Sequence, residues 1–141
     1  MRPAPESKPV QAHVFVLLVE DEVVLRAVLA GQMRVAGLTV IEAANADGAL
    51  TYLDLGGHAD LVFSDLDMPG SMNGMDLAER IHDRDPGIPI ILTSGRAWPQ
   101  DQRGVVAVFV PKPYDVLWAI AIVLATLGRS RPDSGEHDLL S

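Results

Sequence analysis

The 141-residue sequence contains no cysteine, so neither a disulfide framework nor a thiolate metal site can hold this chain together. It has no cluster of Lys or Arg, and its net charge is −8. Contact with a phosphate backbone needs a basic footprint, so nucleic acid is not expected as a partner. Long apolar runs are missing too. The longest covers residues 116–127, too short to cross a bilayer. The opening "MRPAPESKPVQAH" carries three prolines and no apolar stretch of the kind a secretion signal needs. These absences fit a cytoplasmic protein that does not engage a membrane. No repeat is present, and no GxxxxGK[ST] motif, which removes the P-loop nucleoside triphosphatases.

What remains is ordinary globular material. Apolar residues make up 48% and charged residues 21%, enough for one domain with a real core. Residues 1–12 and 129–141 are polar and aperiodic and read as flexible tails around a body at 13–128. Within the body, element types alternate. "HVFVLLV", "LTVIEA", "DLVFS", "IPIILTS" and "VVAVFV" read as strands, the first as one buried on both faces. Residues 22–36 read as a helix with Leu25, Val28, Leu29 and Met33 inward and Gly37 as its stop. Asn45 is suited to cap a helix through Leu55. Residues 74–84 form another, with Leu77, Ala78 and Ile81 inward. The turn before it, "MPGSMNG", is expected to be flexible. "YDVLWAIAIVLATLG" is the last helix. Strands alternating with helices predict a doubly wound α/β fold with a parallel five-stranded sheet.

Such sheets carry their sites at the carboxyl ends of the strands. Glu20 and Asp21 follow the first strand, Asp65 ends the third, Thr93 and Ser94 end the fourth, and Lys112 follows the fifth. Three carboxylates brought to one edge repel each other unless something positive joins them. A hard divalent cation with oxygen ligands does this, and Mg²⁺ is the usual choice beside phosphate. The Thr93 hydroxyl and the Lys112 ammonium complete a ring able to receive the oxygens of a phosphoryl group on Asp65. Taken singly, each residue has a plainer reading: Glu20-Asp21 as a helix-terminal acid pair, Asp65 as a solvated loop acid, Thr93 as strand-end polarity, Lys112 as a surface lysine.

"VEDE" (19–22), "DLVFSDLDMPG" (60–70), "ILTSG" (91–95) and "PKPY" (111–114) together resemble the four signatures of the response-regulator receiver domain, over about residues 14–128. The resemblance implies a (βα)₅ sheet of flavodoxin-like, CheY-like strand order, and roles for the residues. Asp65 would be the phosphoacceptor. Asp21 and Asp65 would hold Mg²⁺ directly, Glu20 through water, and Asp67 by its backbone carbonyl. Thr93 and Lys112 would bind the phosphoryl oxygens. Phe109 stands where the family places an aromatic that changes rotamer, although a Phe on a terminal strand is also ordinary core. Lys112–Pro113 becomes a candidate cis bond. The phosphodonor would be a histidine kinase or a histidine phosphotransfer protein. The reading is of a single-domain response regulator, not an enzyme, whose output is protein–protein contact. An inert receiver-like interaction module is the alternative. "DLD" also resembles the haloacid-dehalogenase phosphatases, but their D-x-D follows the first strand and their metal-binding acids follow the lysine, whereas here the acid pair comes first.

Two departures from that family bear on output. Only eighteen residues separate Thr93 from Lys112, leaving little more than one turn for a shortened fourth helix between Pro99 and Gly104. The last helix has an inward stripe of Leu117, Ile120, Ala121, Leu124 and Leu127, yet its opposite side carries Trp118, Ile122 and Ala125 where charge would be usual. A helix apolar all round is expected to meet a partner, either a second copy in a homodimer or an effector protein.

Overall fold

The structure is a computed structural model, and it describes residues 13–96, 98–101 and 103–130. The 1–12 and 131–141 tails lie outside the described residues. Five strands form one parallel sheet: β1 (Phe15–Val19), β2 (Thr39–Ala43), β3 (Leu61–Asp65), β4 (Ile90–Ser94) and β5 (Val108–Pro111), in the order β2-β1-β3-β4-β5. Four helices accompany them: α1 (Val23–Val35), α2 (Ala46–Asp54), α3 (Gly74–Arg84) and α4 (Val116–Ser130). The last helix therefore runs two residues into the segment expected to be tail.

The central strands are apolar without interruption because both faces are covered. β3 and β4 are buried along their whole length. Alternate side chains go to opposite faces. Leu17, Val62, Ile90 and Leu92 meet Ala49 and Leu53 of α2 and Leu77 and Ile81 of α3. Val16, Leu18, Phe63, Ile91 and Val110 meet Leu29 and Met33 of α1 and Ala119, Ile120, Val123 and Leu127 of α4. Strand order reverses between β1 and β3, and the crevice this opens lies at the carboxyl ends of the strands.

Helix ends follow the expected signals. Asn45 Oδ1 accepts the Gly48 N–H at 2.8 Å, and Gly37 closes α1 at φ +94°. The turn before α3 ends in a defined cap. Asn73 and Asp76 form a reciprocal capping box, and the Gly74 N–H donates to the Leu66 carbonyl at 2.9 Å.

Three sequence expectations are corrected. In α1, Val28 is 44% exposed and Ala30 occupies the inward position, since the helix is turned toward β2, where Arg26 and Arg34 both reach Glu42. In α4 the inward side is Ala119, Ile120, Val123 and Leu127, with Ile122 half-buried, while Leu117, Ala121 and Leu124 face solvent. An all-apolar helix has no polar face to reveal its phase, so packing beside α1 and against β3 chooses it. Between β4 and β5 the described residues contain no helical turn. There the Asp101 carboxylate accepts the N–H groups of Val105 and Val106, both at 2.9 Å, which competes with helix formation.

Candidate phosphoryl-acceptor site

Glu20, Asp21, Asp65, Thr93 and Lys112 arrive at one edge because their strands are parallel. Neighbouring strands set the register: Asp65 lies beside Thr93, Thr93 beside Val110, and Ser94 beside Pro111. Backbone bonds continue past the strand ends. The Leu66 N–H donates to Thr93 O at 2.8 Å, and the Lys112 N–H donates to Ser94 O at 2.9 Å. The Lys112–Pro113 bond is cis.

Carboxylate oxygens of Glu20, Asp21 and Asp65 lie within 4.8 Å of one another. Glu20 and Asp65 are only 1% and 5% exposed, while Asp21 is open to solvent. Lys112 Nζ stands 3.2 Å from Asp65 Oδ2 and 3.4 Å from Glu20 Oε1. Glu20 Oε2 also accepts the Glu22 N–H at 3.0 Å, and Asp65 Oδ1 accepts the Asp67 N–H at 3.2 Å. Burial dominates the electrostatics of both buried acids. It lifts the Asp65 carboxyl above its ordinary value, against the pull of Lys112 and the Asp67 N–H. It lifts Glu20 as well, against the Glu22 N–H and Lys112, with the Asp65 charge adding to the rise. Burial works against the Lys112 charge, but Asp65 and Glu20 outweigh it and hold the ammonium protonated above its usual range.

One ammonium for three carboxylates leaves the cluster short of positive charge. The donors are all hard oxygens, and one acid is open to solvent. Both features fit Mg²⁺, which keeps several waters and takes one or two carboxylates. A second observation points to a phosphoryl group. Thr93 Oγ1 is buried with no hydrogen-bond partner among the described residues, and Thr93 adjoins Asp65 across the β3–β4 pair. A buried orphan hydroxyl costs about 1–3 kcal/mol, a cost removed when an oxygen arrives to accept it.

Asp67 follows Asp65 in the loop, and its side chain has a task of its own. It accepts from Ser94 Oγ at 2.9 Å, and Ser94 Oγ in turn accepts the Arg96 N–H at 3.0 Å. Phe109 is half-buried, with its ring 4.7 Å from that of Trp98. Trp118 and Ala125 are exposed and Ile122 half-buried on α4, away from this centre. Asp115, the acid that follows Lys112, accepts the Trp118 N–H at 3.0 Å as the cap of α4, and the cluster of acids at the sheet edge is Glu20, Asp21 and Asp65 without it.

Sequence reasoning missed three participants. Trp98 covers Phe109 from a segment with no periodicity to read. Tyr114 lies edge-on to Phe63 at 6.3 Å and holds a second buried hydroxyl with no partner among the described residues; burial beside Glu20 and Asp65 raises its pKa well above the usual phenol. Gly74 lets α3 approach the Asp65–Leu66 backbone. A Cβ there would sit 2.3 Å from the Asp65 carbonyl oxygen. Its sequence signal was the Asn-Gly pair, which spoke only of a turn.

Comparison with known proteins agrees with this geometry. Residues 16–115 match the family model of the response regulator receiver domain. The sensor kinase CckA of Brucella abortus is 38% identical over 106 residues, covering 72% of this chain and 11% of that protein. The sensory transduction protein RegX3 of Mycobacterium tuberculosis is 34% identical over 127 residues, covering 86% of this chain and 54% of its own length. Among solved structures, the receiver domain from the hybrid histidine kinase CckA superposes with a TM-score of 0.67 at 32% identity, over 80% of this chain and 98% of that one. The chain thus spans from about a tenth to about half of these curated relatives.

Proposed function

The chain belongs to the response regulator receiver domain family of two-component signalling, and from that membership and the geometry above we propose that Asp65 accepts a phosphoryl group from a phosphohistidine on a histidine kinase or phosphotransfer protein. The observation that carries this reading is the buried Asp65 carboxylate with Lys112 Nζ at 3.2 Å and two further acids within 4.8 Å. An Asp65 carboxylate oxygen attacks phosphorus. The P–N bond breaks, and the imidazole leaves with the electron pair and is protonated by solvent. Receiver domains use Mg²⁺ at their acidic site, and here Asp21, Asp65 and the Asp67 carbonyl would hold it directly and Glu20 through water; bound there, the ion would supply neutralisation of the phosphoryl oxygens. Lys112 pairs with one of those oxygens and Thr93 Oγ donates to another. Catalysis of this kind is positioning and charge compensation, which rigid strand ends provide.

The donor has a surface to approach. An apolar groove lined by Glu22, Leu25, Gly95, Lys112, Pro113 and Tyr114 opens beside the acids. Output through protein contact would draw on the side of the molecule where the Trp98 and Phe109 rings lie 4.7 Å apart.

Intact mass after incubation with Mg²⁺ and acetyl phosphate tests the reading. A single phosphoryl adduct is expected, absent from Asp65→Asn and absent with chelator. A folded wild type that takes no adduct would refute it in favour of an inert interaction module. Continuous donor turnover without a stoichiometric pause would refute it in favour of a phosphatase.

A further inference from the structure

The charge at the start of α1 runs against the helix dipole. A helix favours acids in its first turn and cations in its last. α1 has no acid in its first turn, and its fourth residue is Arg26. A cation so near the amino end needs a contact that outweighs the dipole, and Arg26 has one. Helical side chains point back toward the amino end of their helix. Arg26 therefore reaches over the first turn of α1, and its Nη1 donates to the Glu20 carbonyl at 2.8 Å. Its Nε donates to Glu42 Oε1 on β2 at 3.3 Å, and Arg34 Nη2 donates to the other oxygen of Glu42 at 3.2 Å.

We propose that Arg26 is a positioning residue for the metal-binding acids: it fixes the Glu20–Asp21 peptide so that the Asp21 carboxylate faces Asp65, and Glu42 holds Arg26 in place. The inference rests on the Mg²⁺ site of the phosphoryl-acceptor reading and adds to it residues that touch neither the metal nor the phosphoryl group. Asp21 needs such help. Glu20 is held at its N–H by Ala43 O at 3.0 Å, and at its carboxylate by Lys112 and the Glu22 N–H. Asp21 stands where the chain leaves the sheet, open to solvent, yet its carboxylate lies within 4.8 Å of those of Glu20 and Asp65. The peptide between the two acids aims it, and the oxygen of that peptide is the atom Arg26 binds. Stability is a weaker reason for this chain of contacts. The side chains of Glu42 and Arg34 are 34% and 50% exposed, and ion pairs so open to solvent contribute little. A lysine could not serve as well, because only the planar guanidinium fork presents donors to a carbonyl and a carboxylate at once.

Charge and position predict opposite signs. As a bare cation beside three acids, Arg26 repels Mg²⁺, and its removal would tighten metal binding. As a positioning residue its removal loosens metal binding, by about tenfold, the low end for groups that orient metal ligands. Calorimetric titration of Mg²⁺ into the metal-free full chain reads the sign, with circular dichroism and urea unfolding to follow the fold of each variant separately. Arg26→Met is expected to bind Mg²⁺ about tenfold more weakly than wild type. Arg26→Lys should lose less, and Glu42→Gln should also weaken binding. Adding Glu42→Gln to Arg26→Met should change nothing further, because Glu42 acts through Arg26. Arg26→Met that binds Mg²⁺ as tightly as wild type, or more tightly, would overturn the proposal. So would losses from Arg26→Met and Glu42→Gln that add in full, since these mark two independent charges. Should Arg26→Met not fold, unchanged Mg²⁺ affinity in Glu42→Gln would overturn it alone. Wild type that binds no Mg²⁺ would overturn the metal site and this inference together, whereas wild type that binds Mg²⁺ with variants that match it would overturn only the inference.

Discussion

Gly74→Ala sets two effects of opposite sign against each other. Gly74 is the first residue of α3, and helix propensity alone favours Ala by up to about 1 kcal/mol. The added Cβ, however, would lie 2.3 Å from the Asp65 carbonyl oxygen, 2.8 Å from Leu66 Cα and 3.0 Å from the Asp65 carbonyl carbon. All three are backbone atoms of the strand end that carries the acceptor, so no side chain can swing away. Overpacking of this kind costs about 1–3 kcal/mol. Displacing α3 also weakens the Gly74 N–H bond to Leu66 O, another roughly 1 kcal/mol. The net expectation is destabilisation by about 2–3 kcal/mol, measured by urea unfolding followed by circular dichroism. Gly57→Ala is the internal control. Its Cβ would meet the Tyr52 ring at 2.4 Å, a side chain that can turn aside at the expense of its exposed bond to His58 O. It should cost about 1 kcal/mol or less. For a domain of ordinary stability, about 5 kcal/mol or more, Gly74→Ala remains almost wholly folded in buffer. Its phosphorylation rate can then be read, and should fall because Asp65 itself is moved. Gly74→Ala at or above wild-type stability would refute the claim that α3 is wedged against the acceptor strand.

Asp65→Asn should stabilise the metal-free protein at neutral pH. Burial raises the Asp65 pKa from its ordinary 3.8, so between the unfolded and folded values the native state holds a proton that the unfolded chain releases. Native stability therefore falls as pH rises through that window, and the advantage of Asp65→Asn should grow across it and level off above; urea midpoints at a series of pH values check this, and an advantage that shrinks with rising pH would reverse the sign. Mg²⁺ at ten times its dissociation constant should return about 1.4 kcal/mol to wild type and less to the variant. Thr93→Val removes a buried unpartnered hydroxyl, so stability in urea should hold or rise by about 1 kcal/mol while the phosphoryl adduct forms more slowly or decays sooner by mass spectrometry. Asp101→Ala strips the acceptors of Val105 and Val106 N–H and should cost about 1–3 kcal/mol. In a Trp118→Phe background it should also shift the emission of Trp98, as the segment loosens over Phe109.

The sequence by itself determined the sheet and which side chains gather at its edge. Parallel strands all end on the same side, so Glu20, Asp65, Thr93 and Lys112 had to meet once each was recognised as a strand-end residue. Caps and stops were equally legible, because Asn45 and Gly37 act on backbone groups within a few residues of themselves. Tertiary structure alone decided the features that depend on distant neighbours. The phase of α4 was one: both of its sides are apolar, so periodicity was silent, and contact with α1 and β3 turned Leu117 and Leu124 outward. The segment between β4 and β5 was another, where the Asp101 carboxylate took up the N–H groups a helical turn would have used. The orphaned hydroxyls of Thr93 and Tyr114, the Trp98–Phe109 pair and the fit of Gly74 against Asp65 belong to the same class. Local pattern reports how a residue relates to its own element, whereas these contacts arise between elements brought together only when the sheet and its helices assemble.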